Sequence, residues 1–130
     1  MIDSTDLPHL RRCVELAGQA LEEGDEPFGS VLVSGDGAVL AEDHNRVASG
    51  DRTRHPEFEL ARWSAANMTP RERAAATVYT SGEHCPMCAA AHAWVGLGRN
   101  EVAPGVTVEG PVPELADEVR ELHRRCYARS

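Results

Sequence analysis

The sequence predicts an α/β domain, and three observations carry that expectation. An apolar stripe at helical spacing opens the chain. Short β-rich runs follow it. One of those runs, Thr77-Val78-Tyr79-Thr80, passes almost directly into a stretch with the signals of a helix start. Helices and strands alternate rather than segregate, which is the pattern of an α/β sheet. At 130 residues the chain fits one domain, residues 1–130, with a single core.

The elements can be justified in order. Ser4-Thr5-Asp6 offers N-cap candidates, and Pro8 suits a first helical turn. Leu7, Leu10, Val14, Ala17 and Leu21 recur at helical spacing, and Gly24 can end that helix. Cys13 falls at the edge of its apolar face, where packing is the expected role. Glu26-Pro27-Phe28-Gly29 leads into a strand over Ser30-Val31-Leu32-Val33. Ser34-Gly35-Asp36-Gly37 is a turn and Ala38-Val39-Leu40-Ala41 a second strand, so a β-hairpin is expected. Gly29 lets backbone or ligand approach the first strand. Phe28 reads either as a core residue or as an aromatic wall against a flat ring. His44 and Arg46 read as surface residues. Asn45 reads as a turn-stabilising amide or as a reader of a base edge.

A polar loop, Ala48 to Arg54, then runs into His55, which opens a helical pattern expected to end near Asn67. Thr69-Pro70-Arg71-Glu72 has capping-box spacing with proline at the first helical position, so a short helix follows. Thr77 to Thr80 is the third strand. Pro86 directly after Cys85 predicts a helix from Met87 to about Val95 with Cys85 at its N-cap. Val106-Thr107-Val108 reads as a short strand. Pro111 to Tyr127 reads as a helix with Leu115, Val119, Leu122 and Cys126 on one face.

Composition narrows the function classes. A 42% hydrophobic share with only two each of Trp, Tyr and Phe argues for an Ala/Val/Leu core rather than disorder. No apolar run is long enough to span a bilayer and no signal-peptide pattern opens the chain, so no membrane role is expected. Four cysteines are too few for a disulfide scaffold, and a cytoplasmic setting is expected. The formal net charge of −8 weighs against a nucleic-acid partner and towards a small-molecule substrate. Arg120, Arg124, Arg125 and Arg129 gather near the C-terminus, and read as a solvated helix face.

The chemistry concentrates in His55-Pro56-Glu57 and, thirty positions on, Cys85-Pro86-Met87-Cys88. Zinc prefers nitrogen and sulfur donors, and C-x-x-C delivers two thiolates from one turn of chain. Helix N-termini favour the thiolate form. His55, Cys85 and Cys88 make three ligands, and a catalytic zinc site keeps a position for water where a structural site is closed by four. Glu57 then falls to the role of proton shuttle. Alone, C-x-x-C is also compatible with a redox pair or half a structural site. Closure of the site by Cys13, Cys126 or His84 is the competing arrangement.

H-x-E followed by P-C-x-x-C is the zinc deaminase signature. The order of elements and both motifs resemble the cytidine deaminase-like superfamily over most of the chain. Within it, the sequence looks closest to the branch of guanine deaminases and tRNA adenosine deaminases. Pro27-Phe28-Gly29-Ser30-Val31 resembles the guanine deaminase first strand, and Asn45 matches an asparagine that contacts substrate in that branch. The resemblance implies a three-layer α/β/α fold around a mixed five-stranded sheet, a homodimer, and one zinc ion per chain held by His55, Cys85 and Cys88. It implies Glu57 as proton shuttle, with Asn45 and Phe28 holding the base. Two departures stand out. His84 occupies the place of the family's proline before the first metal cysteine, where an imidazole touches substrate, offers another ligand, or faces solvent; the last is ranked first, together with support of a ligand. The family also carries a fourth strand and a further helix after the C-x-x-C helix, so a missing stretch is expected between Asn100 and Glu101. The expected activity is hydrolytic deamination of a free base or nucleoside, guanine-like first. Cytosine or cytidine deamination, tRNA adenosine deamination and a zinc-stabilised interaction domain are the alternatives.

Overall fold

The computed structural model describes residues 4–103, 121–122 and 124–125. Helix α1 (Leu7–Glu22) follows the predicted apolar spacing, with Leu10, Val14, Ala17 and Leu21 buried. Cys13 is fully buried rather than at the edge of that face. The start of α1 differs from expectation. Asp6 takes the N-cap position without a side-chain capping bond. Its carboxylate instead accepts from the Tyr79 hydroxyl at 2.6 Å and lies 3.5 Å from the Arg99 guanidinium. A phenol and a cation brought from the sheet thus take up the carboxylate that the local sequence offered to the helix.

Strands β1 (Gly29–Val33) and β2 (Val39–His44) form the expected antiparallel hairpin. The turn closes through Ser34 N–H donating to Ala38 O at 2.8 Å. Pairing carries β2 past Ala41 as far as His44, which lies opposite Gly29. After a 3₁₀ turn (Val47–Ser49) come α2 (Pro56–Asn67) and α3 (Pro70–Ala75), the latter with the full Thr69–Glu72 capping box. Strand β3 (Thr77–Thr80) pairs antiparallel with β1, and α4 (Pro86–Trp94) connects it to β4 (Arg99–Val102), which is parallel to β3. The sheet is mixed, in the order β2-β1-β3-β4.

Asn100 and Glu101, where a missing stretch was expected, lie inside β4, opposite Val78 and Tyr79. The fourth strand is therefore Arg99–Val102. The predicted strand at Val106-Thr107-Val108 falls outside the described residues, as does most of the helix predicted from Pro111 to Tyr127. Of that helix, residues 121–122 and 124–125 are helical, and Leu122 is buried in the α1 core.

Three layers result from the two-residue period of the strands. Val31, Val33 and Tyr79 face α1 in one core. Leu32 and Val78 face the opposite way, into a second core with Leu60, Ala61 and Leu97. Gly29 is required by the closeness of α1 to β1, since a Cβ there would stand 2.4 Å from Cys13 O. Of the two approaches expected at Gly29, the neighbour is backbone.

Arg73 ties the far ends of the helices together. Its guanidinium donates to Val95 O at 2.7 Å, Met68 O at 2.5 Å and Ser64 O at 3.3 Å, carbonyls at the C-terminal ends of α2 and α4. A cation there satisfies orphan carbonyls and offsets the negative ends of both helices. Arg73→Ala should lower stability by about 2 kcal/mol, read as a shift in denaturant midpoint; an unchanged midpoint would remove this role.

Candidate metal and active site

The site is built at two helix N-termini. His55 and Cys85 are the N-cap residues of α2 and α4, both extended, and each is followed by a proline at the first helical position. Extended N-cap backbone lets each side chain turn across the end of its helix rather than along it. The two helices pack together, so their starts converge. His55 Nδ1 lies 3.4 Å from Cys85 Sγ and 3.6 Å from Cys88 Sγ. Around a tetrahedral zinc ion with ordinary Zn–N and Zn–S bonds, that N···S edge is roughly 3.6 Å. The donor set and its spacing therefore fit zinc, with Nδ1 as the histidine donor.

Among the described residues no fourth His, Cys, Asp or Glu joins this group. Cys13 belongs to the α1 core, and Cys126 lies outside the described residues. His84 is half-buried rather than at the surface. Its ring packs edge-on against His92 of α4 at 5.4 Å, and burial, then the charge of His92, lowers its pKa to about 4. The buried Nε2 of His84 and Nδ1 of His92 have no hydrogen-bond partner.

Glu57, in the first turn of α2, is 6% exposed. Burial raises its pKa from 4.5 to about 7, offset in part by its own backbone amide. Its charge also helps hold the Cys88 thiol above the ordinary range, after burial, which is the larger cause. A carboxyl that exchanges its proton near neutrality has the properties of a general acid and base.

Asn45 is buried, and its orientation follows from its partners. Oδ1 accepts from the backbone N–H of Val47 at 3.0 Å and of Glu26 at 3.3 Å. Both partners are donors, so the amide nitrogen must point the other way. That Nδ2 is buried and has no hydrogen-bond partner. Asn45 thus does stabilise a turn, and a donor is left over. Phe28 is half-buried, its ring against Gly82 in the segment before Cys85. His44, expected at the surface, is buried beneath this loop, with Nδ1 3.2 Å from Asn45 O and Nε2 3.6 Å from Glu23. The extra length of β2 carries it inside. Arg46 is exposed as expected and pairs with Asp43.

A cavity of about 290 Å³ is lined by Glu26, Val47, Arg52 and His55. The sequence reading missed Glu26 and Arg52, which look like ordinary charges in polar loops. The position of Glu26 directly before Pro27-Phe28-Gly29 was the one available signal.

A family model for the cytidine and deoxycytidylate deaminase zinc-binding region matches residues 3–103. A probable cytosine deaminase of Schizosaccharomyces pombe is 36% identical over 98 residues, covering 75% of this chain and 59% of that protein. The guanine deaminase of Bacillus subtilis is 39% identical over 87 residues, covering 65% of this chain and 55% of that protein. The chain thus spans little more than half the length of these curated relatives. A solved structure from work on A-to-I editing at the wobble position of transfer RNA superposes with a TM-score of 0.67 at 31% identity, covering 78% of this chain and 77% of that one.

Proposed function

Because the chain belongs to the cytidine and deoxycytidylate deaminase zinc-binding family, we propose that it hydrolyses the exocyclic amine of a nucleobase or nucleoside, with a guanine-like purine as the first candidate. The observation that carries the reading is the convergence of His55 Nδ1 on two cysteine sulfurs beside a buried carboxyl, Glu57. His55, Cys85 and Cys88 would hold zinc, which when bound supplies Lewis acidity that activates water near neutral pH. Glu57 takes the proton from the attacking water. The water oxygen bonds to the ring carbon while Glu57 passes that proton to the adjacent ring nitrogen; Glu57 then carries the second proton, from the new hydroxyl, to the amine, and the carbon–nitrogen bond breaks to release ammonia and leave a ring carbonyl. Asn45 Nδ2 donates to an acceptor on the base, and Phe28 supplies a flat apolar wall. His84 supports the cysteine segment through its contact with His92.

The guanine preference rests on the Pro27-Phe28-Gly29 run and the Bacillus subtilis relative. Cytosine is the second reading, supported by the Schizosaccharomyces pombe relative. Transfer RNA ranks lower. The chain is acidic, and Arg124, part of the C-terminal basic cluster, is tied to Glu121 at 2.6 Å. An ammonia-release screen of zinc-loaded protein over guanine, guanosine, adenine, adenosine, cytosine and cytidine tests the reading. Silence on all six would remove it.

The chain also acts as a homodimer in this reading, within the reducing cytoplasm that its thiol ligands suit. An apolar groove between α2 and α4 is lined by Phe58, Ala61, Ala65, Met87 and Trp94, and Trp94 is 91% exposed. Such a surface calls for a partner. Trp94→Asp should shift the sedimentation coefficient from dimer to monomer; a wild type that sediments as a monomer would end the dimer proposal. Among the described residues no helix is long and apolar enough to cross a membrane.

A further inference from the structure

We infer that Glu26 and Arg52 select the substrate, and that Glu26 reads a ring N–H which only a free base carries. The inference rests on the deaminase reading and narrows its substrate class. Glu26 and Arg52 line the same cavity as the metal-binding residue His55. They come from different segments, Glu26 from the approach to β1 and Arg52 from the loop before α2. Both are exposed, and neither side chain makes a hydrogen bond or ion pair among the described residues. Arg12, Arg46, Arg54, Arg73, Arg99 and Arg124 are all committed to carboxylates or carbonyls.

The backbone that carries Glu26 is held in place. Its N–H and that of Val47, also on the cavity wall, both donate to Asn45 Oδ1. The neighbouring Asp25 carboxylate accepts from Ala48 N–H at 2.9 Å. Glu26 is thus an uncommitted carboxylate on a fixed support, the condition under which a polar contact discriminates well.

The reacting carbon of a substrate must face the metal donors and Glu57, so the opposite edge of the ring faces the cavity mouth. A carboxylate can only accept there, and a guanidinium can only donate. The pair therefore matches an edge with an N–H beside an acceptor. Cytosine offers N1–H and O2; guanine offers N9–H and N7. In the nucleoside the sugar replaces that N–H, and Glu26 loses its donor while being desolvated. A site that leaves a polar group unpaired rejects the wrong ligand strongly. The acceptor for Arg52 is present in base and nucleoside alike.

The test compares kcat/KM for guanine with guanosine and for cytosine with cytidine, in zinc-loaded wild type, Glu26→Ala and Arg52→Ala, with zinc content measured in each. The Glu26 side chain has no protein partner, so its removal should not affect folding. In Glu26→Ala the base-over-nucleoside ratio should fall by about tenfold or more, through KM rather than kcat. Arg52→Ala should weaken base and nucleoside together. A ratio that does not move in Glu26→Ala overturns the inference. Dissociation constants for the same four compounds in Glu57→Ala give the ratio without turnover. Ammonia from wild type with an unmoved ratio sinks the role of Glu26 and keeps the reaction. No ammonia, but base binding that loss of the Glu26 carboxylate weakens, sinks the reaction and keeps the role. No binding of any of the four sinks both.

Discussion

Glu57→Ala should retain zinc and lose ammonia release from every base and nucleoside, by about 10²–10⁴-fold, the usual contribution of a positioned acid–base group. The side chain is buried in the first turn of α2 and its proton affinity lies near neutrality. Single-turnover ammonia release with parallel zinc analysis is the measurement, and wild-type rates in the variant would take Glu57 out of the reaction. A second consequence appears without metal. Burial raises Glu57 from 4.5 to about 7, so the native protein holds its proton more tightly than the unfolded chain does. Its contribution to stability is full below pH 4.5 and is lost as pH rises to about 7. Metal-free Glu57→Gln, which does not titrate, should therefore gain on wild type across that window, by roughly 3 kcal/mol at most. Denaturation midpoints that stay parallel over the same range would show that Glu57 ionises like an exposed acid.

Cys88→Ser should cost on the order of 10²–10³-fold in zinc affinity, one donor's share of the binding free energy of such sites. Cys88 is 1% exposed, and burial, then the Glu57 charge, holds its metal-free thiol well above the ordinary range. Zinc must displace that proton. Affinity should therefore rise with pH, and loading should release protons into a weakly buffered solution. Competition against a chromophoric chelator at several pH values reads both effects. A pH-independent affinity, or a serine variant that binds as tightly as wild type, would remove Cys88 from the donor set. Zinc loading should also raise the melting temperature, because the donors are assembled only in the folded chain.

Much of the fold was legible because its signals are local. Pro56 and Pro86 mark two helix starts to within one residue, and Thr69 with Glu72 marks a third. Thr77 to Thr80 declared itself by β-branched composition. Less could be read where the outcome depended on distant chain. Asp6 was spent on Tyr79, 73 positions away, instead of capping its own helix. His44 is buried because pairing with β1 extends β2 past the apolar run that announced it. Strand β4 carries the sequence Arg99-Asn100-Glu101-Val102, with no apolar signature, and exists through its pairing with β3.

The sequence by itself determined the donor types and their placement at helix starts, because proline, histidine and the two thiols act within a few residues of where they stand. Only the tertiary structure decided which histidine nitrogen meets the sulfurs, how deeply Glu57 is buried, and that the amide of Asn45 is spent on one side and open on the other. Those properties are set by neighbours brought from elsewhere in the chain. Backbone preference is a local quantity, whereas desolvation and hydrogen-bond partnership belong to the packed assembly.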